Sequence, residues 1–252
     1  MIDQTSVARL TWEQVSARRL ERSGLSRPFQ DANPADVAGA LCGAHAQIIT
    51  AAEWSIGMRL IGAVRSDVQS ALWEERSLVK TLGPRGTVHL LPARDLSMWT
   101  GALSAIPFAP NSFREDVRLT PGQTDEVVAA IAGALQGAEL TIDELGDAVV
   151  ARTDSWAGDL VMPAFGGMWP RWRQAIGTAA NRGALCFGHN RGRKVTYTSP
   201  GTWVERPRSR SSSAGISTPT VPQPLATSRS GSMRRPAGRR VCSIRSPMNW
   251  SR

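Results

Sequence analysis

The sequence is short of the residues from which metal and redox centres are built. It holds three Cys and three His in 252 residues, with no Cys-x-x-Cys and no His-x-x-x-His spacing. No metal site and no cofactor is therefore expected. Cys42, Cys186 and Cys242 are odd in number and unpaired by spacing, so they read as buried, reduced thiols. No apolar run approaches membrane-spanning length, and the N-terminus lacks a signal-peptide pattern. A cytoplasmic monomer with no membrane partner is the resulting expectation.

Acid is missing from one end of the chain. Pro207–Arg252 contains nine Arg, no Lys and no Asp or Glu. The net charge of +9 would by itself suggest nucleic-acid binding. Removing those nine Arg from the 30 basic residues leaves 21 against 21 acids, a net of zero for 1–206. What remains is local asymmetry. Residues 115–159 hold ten acids against two Arg, and 160–204 hold six basic residues and no acid. The later segment is thereby expected to carry a positive face over a negative base.

What is present is a repeated arrangement. In Ala71–Pro92, ALWEERSLVKTLGPRGTVHLLP, a helix end leads into two β-prone runs, Leu78–Leu82 and Thr87–Leu91. Gly83-Pro84-Arg85-Gly86 lies between them and is built to turn the chain. The pattern recurs about a hundred residues later. Trp169–Arg182 reads as a helix closed by Gly183, followed by Ala184–Gly188 and Lys194–Ser199 around an Arg/Gly-rich tip. A helix feeding a hairpin with a basic tip is the pattern of a winged helix, whose helix enters the major groove while the wing touches phosphate.

The fold expected is α+β and mostly helical, with two tandem winged-helix modules followed by a disordered tail. Their bounds are 7–105 and 120–205, joined by a Pro-rich linker at 106–119, with the tail at 206–252. Capping boxes are expected at Thr11 with Gln14, Thr50 with Glu53, and Thr141 with Glu144. Pro34 and Pro121 sit at first helical positions. Ala35–Cys42 reads as a short helix, and Asp154–Gly167 as a Gly-rich connection. The nine Trp read mostly as core and helix-packing residues.

The tail is rich in Arg, Ser and Pro and shows no period of 3.6 or 2. A basic disordered extension is the plain reading. Codons permitted for residues 217–235, taken in the neighbouring frame, spell a helical segment with a Thr-Pro start. A frameshift, with the chain lacking a third helical module, is the expectation that follows.

His45-Ala46-Gln47 falls between two helices. Side chains two apart diverge on a helix but share a side of an extended segment. An imidazole and a carboxamide between small Ala residues could thus converge on one water and polarise it. Taken alone, a His in such a loop is more often structural.

GAHAQIITAAEWSIGMRL, then LWEERSLVKTLGPRGTVHLLP, resembles the bacterial winged-helix family that includes the crosslink-unhooking and alkylpurine DNA glycosylases. PRWRQAIGTAANRGALCFGHNRGRKVTYT is similar to that family's second winged helix, and the resemblance covers roughly 7–205. The family carries Gln–apolar–Gln or Gln–apolar–Asp in the inter-helix loop, where this chain has His45, Ala46 and Gln47. A His-first form occurs among relatives in antibiotic producers. The resemblance implies three winged helices and a small β-barrel around duplex DNA.

It further implies a monofunctional DNA glycosylase that hydrolyses the N-glycosidic bond of alkylated or crosslinked purines, from a shortened chain. Gln47 would orient the water and His45 would accept its proton. Arg85 on the first wing, Arg191, Arg193 and Lys194 on the second, and Arg171 and Arg173 early in the second helix are candidate phosphate contacts on double-stranded DNA. His89 and His189 read as structural, and Glu74-Glu75 as a solvated helix face. The alternatives are a DNA-binding regulator without catalysis, or an inactive remnant.

Overall fold

The same path of chain is traced twice. The computed structural model describes residues 9–106, 113–164 and 166–201. The expected tail, its frameshift and Cys242 lie outside the described residues, as do residues 107–112 of the expected linker. Among the described residues no helix is long and apolar enough to cross a membrane.

The first half opens with α1 (Trp12–Arg22), capped by the Thr11/Gln14 box. It goes on to α2 (Pro34–Ala40), where the Asn33 side chain accepts from the Ala35 and Asp36 amides and Pro34 takes the first position. A short β1 (Ala44–His45) follows, then α3 (Ile49–Gly57), α4 (Arg65–Trp73), β2 (Leu78–Leu82), β3 (Val88–Pro92) and α5 (Leu96–Ser104). The three strands form one antiparallel sheet in the order β1-β3-β2.

The second half runs α6 (Pro121–Leu135), β4 (Glu139–Thr141), α7 (Ile142–Val150), β5 (Leu160–Ala164), β6 (Gly167–Pro170), α8 (Ile176–Asn181), β7 (Cys186–Phe187) and β8 (Thr196–Thr198). Its sheet has the order β4-β8-β7. In both halves the early strand pairs with the second strand of the later hairpin. The β5–β6 hairpin is an insertion that the first half lacks.

Each half has its own core. Val37, Ile56, Val68, Leu72, Leu78 and Leu90 pack together in the first, and Val127, Ile131, Leu145, Val149, Trp172 and Leu185 in the second. A smaller cluster of Val79, Leu91, Leu96 and Cys186 joins them. Alongside it, the Trp73 and His189 rings lie 4.3 Å apart, and Lys80 Nζ sits 4.9 Å over the Phe187 ring.

Several expectations are corrected. Thr50 caps nothing: α3 starts at Ile49 with Ile48 as N-cap, and no side chain bonds there. The Glu53 carboxylate turns inward instead, where Arg65 Nε at 2.6 Å and Gln69 Nε2 at 3.1 Å hold it buried. Buried charge is retained only with such partners. The α2 helix stops at Ala40, because Cys42 and Gly43 both take positive φ. Trp169–Arg182 is not one helix but the end of β6, a 3₁₀ turn over Arg171–Ala175 and α8. The Asp154–Gly167 connection contains a strand. The Trp among the described residues divide: Trp172 is 1% exposed and Trp73, Trp99 and Trp156 pack against the cores, whereas Trp12, Trp54 and Trp169 are 80%, 74% and 45% exposed.

The thiols also differ from one another. Cys42 is exposed, whereas Cys186 is buried and its thiol is pushed up to about 12 by that burial. Iodoacetamide at mildly alkaline pH is expected to modify Cys42 in the native protein and Cys186 only after denaturation. Peptide mass spectrometry reads this directly, and alkylation of native Cys186 would contradict the packing described.

Candidate functional site

The stretch around His45 gets its shape from the turn before it. Cys42 at φ 55° and Gly43 at φ 104° swing the chain out of α2, and the Gly43 amide still donates to the Ala38 carbonyl at 2.8 Å. A side chain on Gly43 would put its Cβ 2.8 Å from Leu91 Cδ2, so both backbone and space demand glycine here. The chain leaves this turn extended and lies along β3.

The pairing is antiparallel, with Ala44 opposite Leu90 and His45 opposite His89. It continues one residue further, since the Ala46 amide donates to the Val88 carbonyl at 2.7 Å. Side chains therefore alternate. Ala44 and Ala46 are 2% and 1% exposed and face the core, while His45 and Gln47 are both exposed. The imidazole and the carboxamide thus share the outward side.

His45 has a neighbour that spacing alone could not identify. The His89 ring meets it edge-on, with centroids 5.4 Å apart and planes at 79°. His89 is itself buried, and its Nδ1 lies 2.8 Å from the Thr87 carbonyl oxygen. Beyond Gln47, Ile48 stands 67% exposed at the start of α3. A separate cavity of 340 Å³ lies against α3 and is lined by Glu53, Trp54, Met58, Val64 and Arg65. It includes neither His45 nor Gln47.

The six basic candidates fall into different environments. Arg85 tops the first hairpin in a left-handed conformation, φ 61°, exposed beside Gly86. The tip is closed by the Gly83 amide on the Thr87 carbonyl at 2.9 Å. Arg193 is exposed on the second hairpin. Neither has an ion-pair partner among the described residues.

The other four are engaged within the chain. Arg191 Nη1 meets Glu144 at 2.8 Å, and Lys194 Nζ meets Asp143 at 2.8 Å. The Thr141 amide and hydroxyl, followed by the Arg191 guanidinium, hold the Glu144 carboxyl below its ordinary range. Asp143 in turn raises the Lys194 ammonium. Arg171 is mostly buried, donating to the Asp116 carbonyl at 3.2 Å and to Asp159 at 3.3 Å. Arg173 lies 4.2 Å over the Trp169 ring, a cation–π contact. The charge asymmetry read from the sequence is thus partly consumed internally: basic residues of the second hairpin pair with acids at the start of α7.

Sequence reasoning missed the β5–β6 hairpin, which presents Leu160, Met168 and Trp169 at 64%, 44% and 45% exposure. Gly166 and Gly167 made that segment read as a loop. Among the described residues no three His, Cys, Asp or Glu side chains are grouped to hold a metal ion.

Known proteins resemble the chain over most of its length. The family described as DNA glycosylase AlkZ-like matches residues 38–242. The interstrand DNA cross-link repair glycosylase of Streptomyces sahachiroi is 34% identical over 195 residues, which is 75% of this chain and 49% of that protein. The solved structure of Streptomyces sahachiroi DNA glycosylase AlkZ superimposes with a TM-score of 0.62 at 33% identity, covering 79% of this chain and 52% of that one. The chain therefore spans about half the length of the curated relative it matches.

Proposed function

The chain belongs to the AlkZ-like DNA glycosylase family, and from that premise we propose that it hydrolyses the N-glycosidic bond of alkylated or crosslinked purines in double-stranded DNA. The observation that carries the proposal is the shared outward side of His45 and Gln47, set by alternation with buried Ala44 and Ala46.

The chemistry asks little of the enzyme. A purine alkylated at N7 or N3 is already cationic, so it leaves without being protonated. As the C1′–N bond breaks, its electron pair returns to the base and neutralises it. Positive charge then spreads over C1′ and the ring oxygen of the sugar. Gln47 orients a water toward C1′, the new C–O bond forms there, and His45 takes the water's proton before passing it to solvent. The products are the free base and an abasic site. Because both side chains are exposed, a bulky lesion can reach them without being flipped into a closed pocket.

The DNA-binding frame we infer is a winged helix in each half. Support comes from the doubled path of early strand, helices and hairpin, and from the basic tips at Arg85 and Arg193. Those two cations contact phosphate. Arg171, Arg173, Arg191 and Lys194 do so only by leaving or sharing their present partners. We place the protein in the cytoplasm, as a monomer.

The test uses duplex oligonucleotides carrying an N7-alkylguanine adduct or an interstrand crosslink, with abasic sites detected as alkali-labile breaks. Breaks at the adduct are expected. Binding to the duplex without breaks would sink the proposal in favour of a non-catalytic DNA-binding protein.

Salt dependence separates the cations. Arg85→Ala and Arg193→Ala are each expected to lower the slope of log Kobs against log salt by about one unit. Arg191→Ala and Lys194→Ala are expected to lower it by less, since Glu144 and Asp143 already compensate those charges. Equal slopes for all four variants would remove the wing-tip assignment.

A further inference from the structure

His89 is built into the sheet with more care than a filler residue needs. It sits in the centre strand, opposite Thr81 of β2 on one side and His45 of β1 on the other. The row across the sheet is therefore Thr81, His89, His45. Thr81 and His89 are 3% and 6% exposed, while His45 is open.

Two glycines make room for the ring. A Cβ on Gly83 would come within 2.9 Å of His89 Nδ1, and a Cβ on Gly43 within 3.3 Å of its Cδ2. These glycines lie on the hairpin turn and on the turn before β1. The space they leave is shaped by the imidazole.

The ring's hydrogen-bond donor is also placed. A carbonyl oxygen can only accept, so His89 Nδ1, 2.8 Å from the Thr87 carbonyl, carries the hydrogen. That fixes the donor nitrogen and the ring plane. The plane is the one that meets the His45 ring edge-on at 5.4 Å. An exposed imidazole on a two-residue strand would otherwise sample several rotamers.

We propose that His89 is a positioning residue, whose fixed ring holds the His45 imidazole in one rotamer on the side it shares with Gln47. The proposal rests on the reading of His45 as the group that accepts the water's proton. Ordering that side chain before substrate arrives removes an entropic cost from the hydrolytic step.

The experiment follows the imidazoles by NMR in the full chain with ¹⁵N-labelled histidine. The wild type is expected to show His89 as the Nδ1–H tautomer and His45 with three-bond couplings of a single χ1 rotamer. In His89→Ala the His45 couplings should average. In His89→Phe, which keeps a ring edge without nitrogens, they should stay close to wild type. Gly83→Ala pushes the ring aside without deleting it, so it serves if His89→Ala does not fold; its His45 couplings should average too. Unchanged His45 couplings in Gly83→Ala and His89→Ala would overturn the proposal, as would averaged couplings in the wild type.

Base release supplies the second reading. His89→Ala should slow single-turnover release about tenfold or more while Kd for the duplex stays within about twofold. The same substitution should have no further effect in a His45→Ala background. If His45→Ala leaves release unchanged, the catalytic reading fails while the NMR result still stands. If His45→Ala slows release and His89→Ala does not, the positioning role fails alone.

Discussion

Replacing His45 with alanine is expected to slow release of an N7-alkylguanine from duplex DNA by about 100-fold or more, the usual worth of a positioned general base. Affinity for the duplex should change little, because His45 is one exposed side chain and phosphate contacts dominate binding. Gln47→Ala is expected to cost a similar factor, and the double substitution less than the product of the two, since both act on one water. Single-turnover kinetics with alkali cleavage measure all three.

The local geometry explains why these losses should be catalytic and not structural. His45 and Gln47 point away from the core, whose packing in this strand is supplied by Ala44 and Ala46. Removing either exposed side chain leaves no cavity. His45→Gln writes the Gln–apolar–Gln pattern into the chain and separates two roles. A wild-type rate in that variant would mean the position orders water without taking its proton. A loss comparable to His45→Ala would assign proton acceptance to the imidazole.

The second large effect concerns stability. Trp172→Ala is expected to destabilise the protein by about 3–5 kcal/mol, the range for deleting a large buried aromatic. Trp172 is 1% exposed and packs among Val127, Ile131, Leu145 and Val149. Its indole lies so close to α7 that a Cβ on Gly146 would come within 3.3 Å of Nε1. Neighbouring side chains cannot close over a void of that size. A fall in melting temperature of about 10 °C or more follows for a domain of this length. Trp12→Ala and Trp54→Ala, at 80% and 74% exposure, should stay within about 0.5 kcal/mol of wild type. Similar losses from all three would mean that the buried and exposed Trp are misassigned.

That contrast marks a limit of reading residue types. The Trp read mostly as core and helix-packing residues, and hydrophobicity alone cannot distinguish buried Trp172 from exposed Trp12. The same limit applies to charge. Six basic residues without an acid in 160–204 suggested a free positive face. Yet Arg191 and Lys194 find Glu144 and Asp143 about fifty residues earlier in the chain, and no local window reveals such pairs. Thr50-Ala51-Ala52-Glu53 had the form of a capping box, but Arg65 and Gln69 took the carboxylate.

Local physics was legible where it acted alone. The expected boxes at Thr11 and Thr141 form because a hydroxyl and a carboxyl or amide three residues on satisfy amides that a helix end leaves open. Gly83 to Gly86 turned the chain as their types require, and Leu78–Leu82 formed the strand expected before them. The alternation around His45 and Gln47 needed only an extended backbone.

By itself, then, the chain's order of residues determined the helix starts at Trp12, Pro34, Pro121 and Ile142, the two hairpins and the common side of the imidazole and carboxamide. Each depends on groups within a few positions of one another. Tertiary structure alone decided that β1 and β4 join those hairpins as third strands, that the His89 ring lies edge-on to His45, and which cations lack an ion-pair partner among the described residues. Those outcomes depend on which distant surface reaches a group first, and burial then decides which partner it keeps.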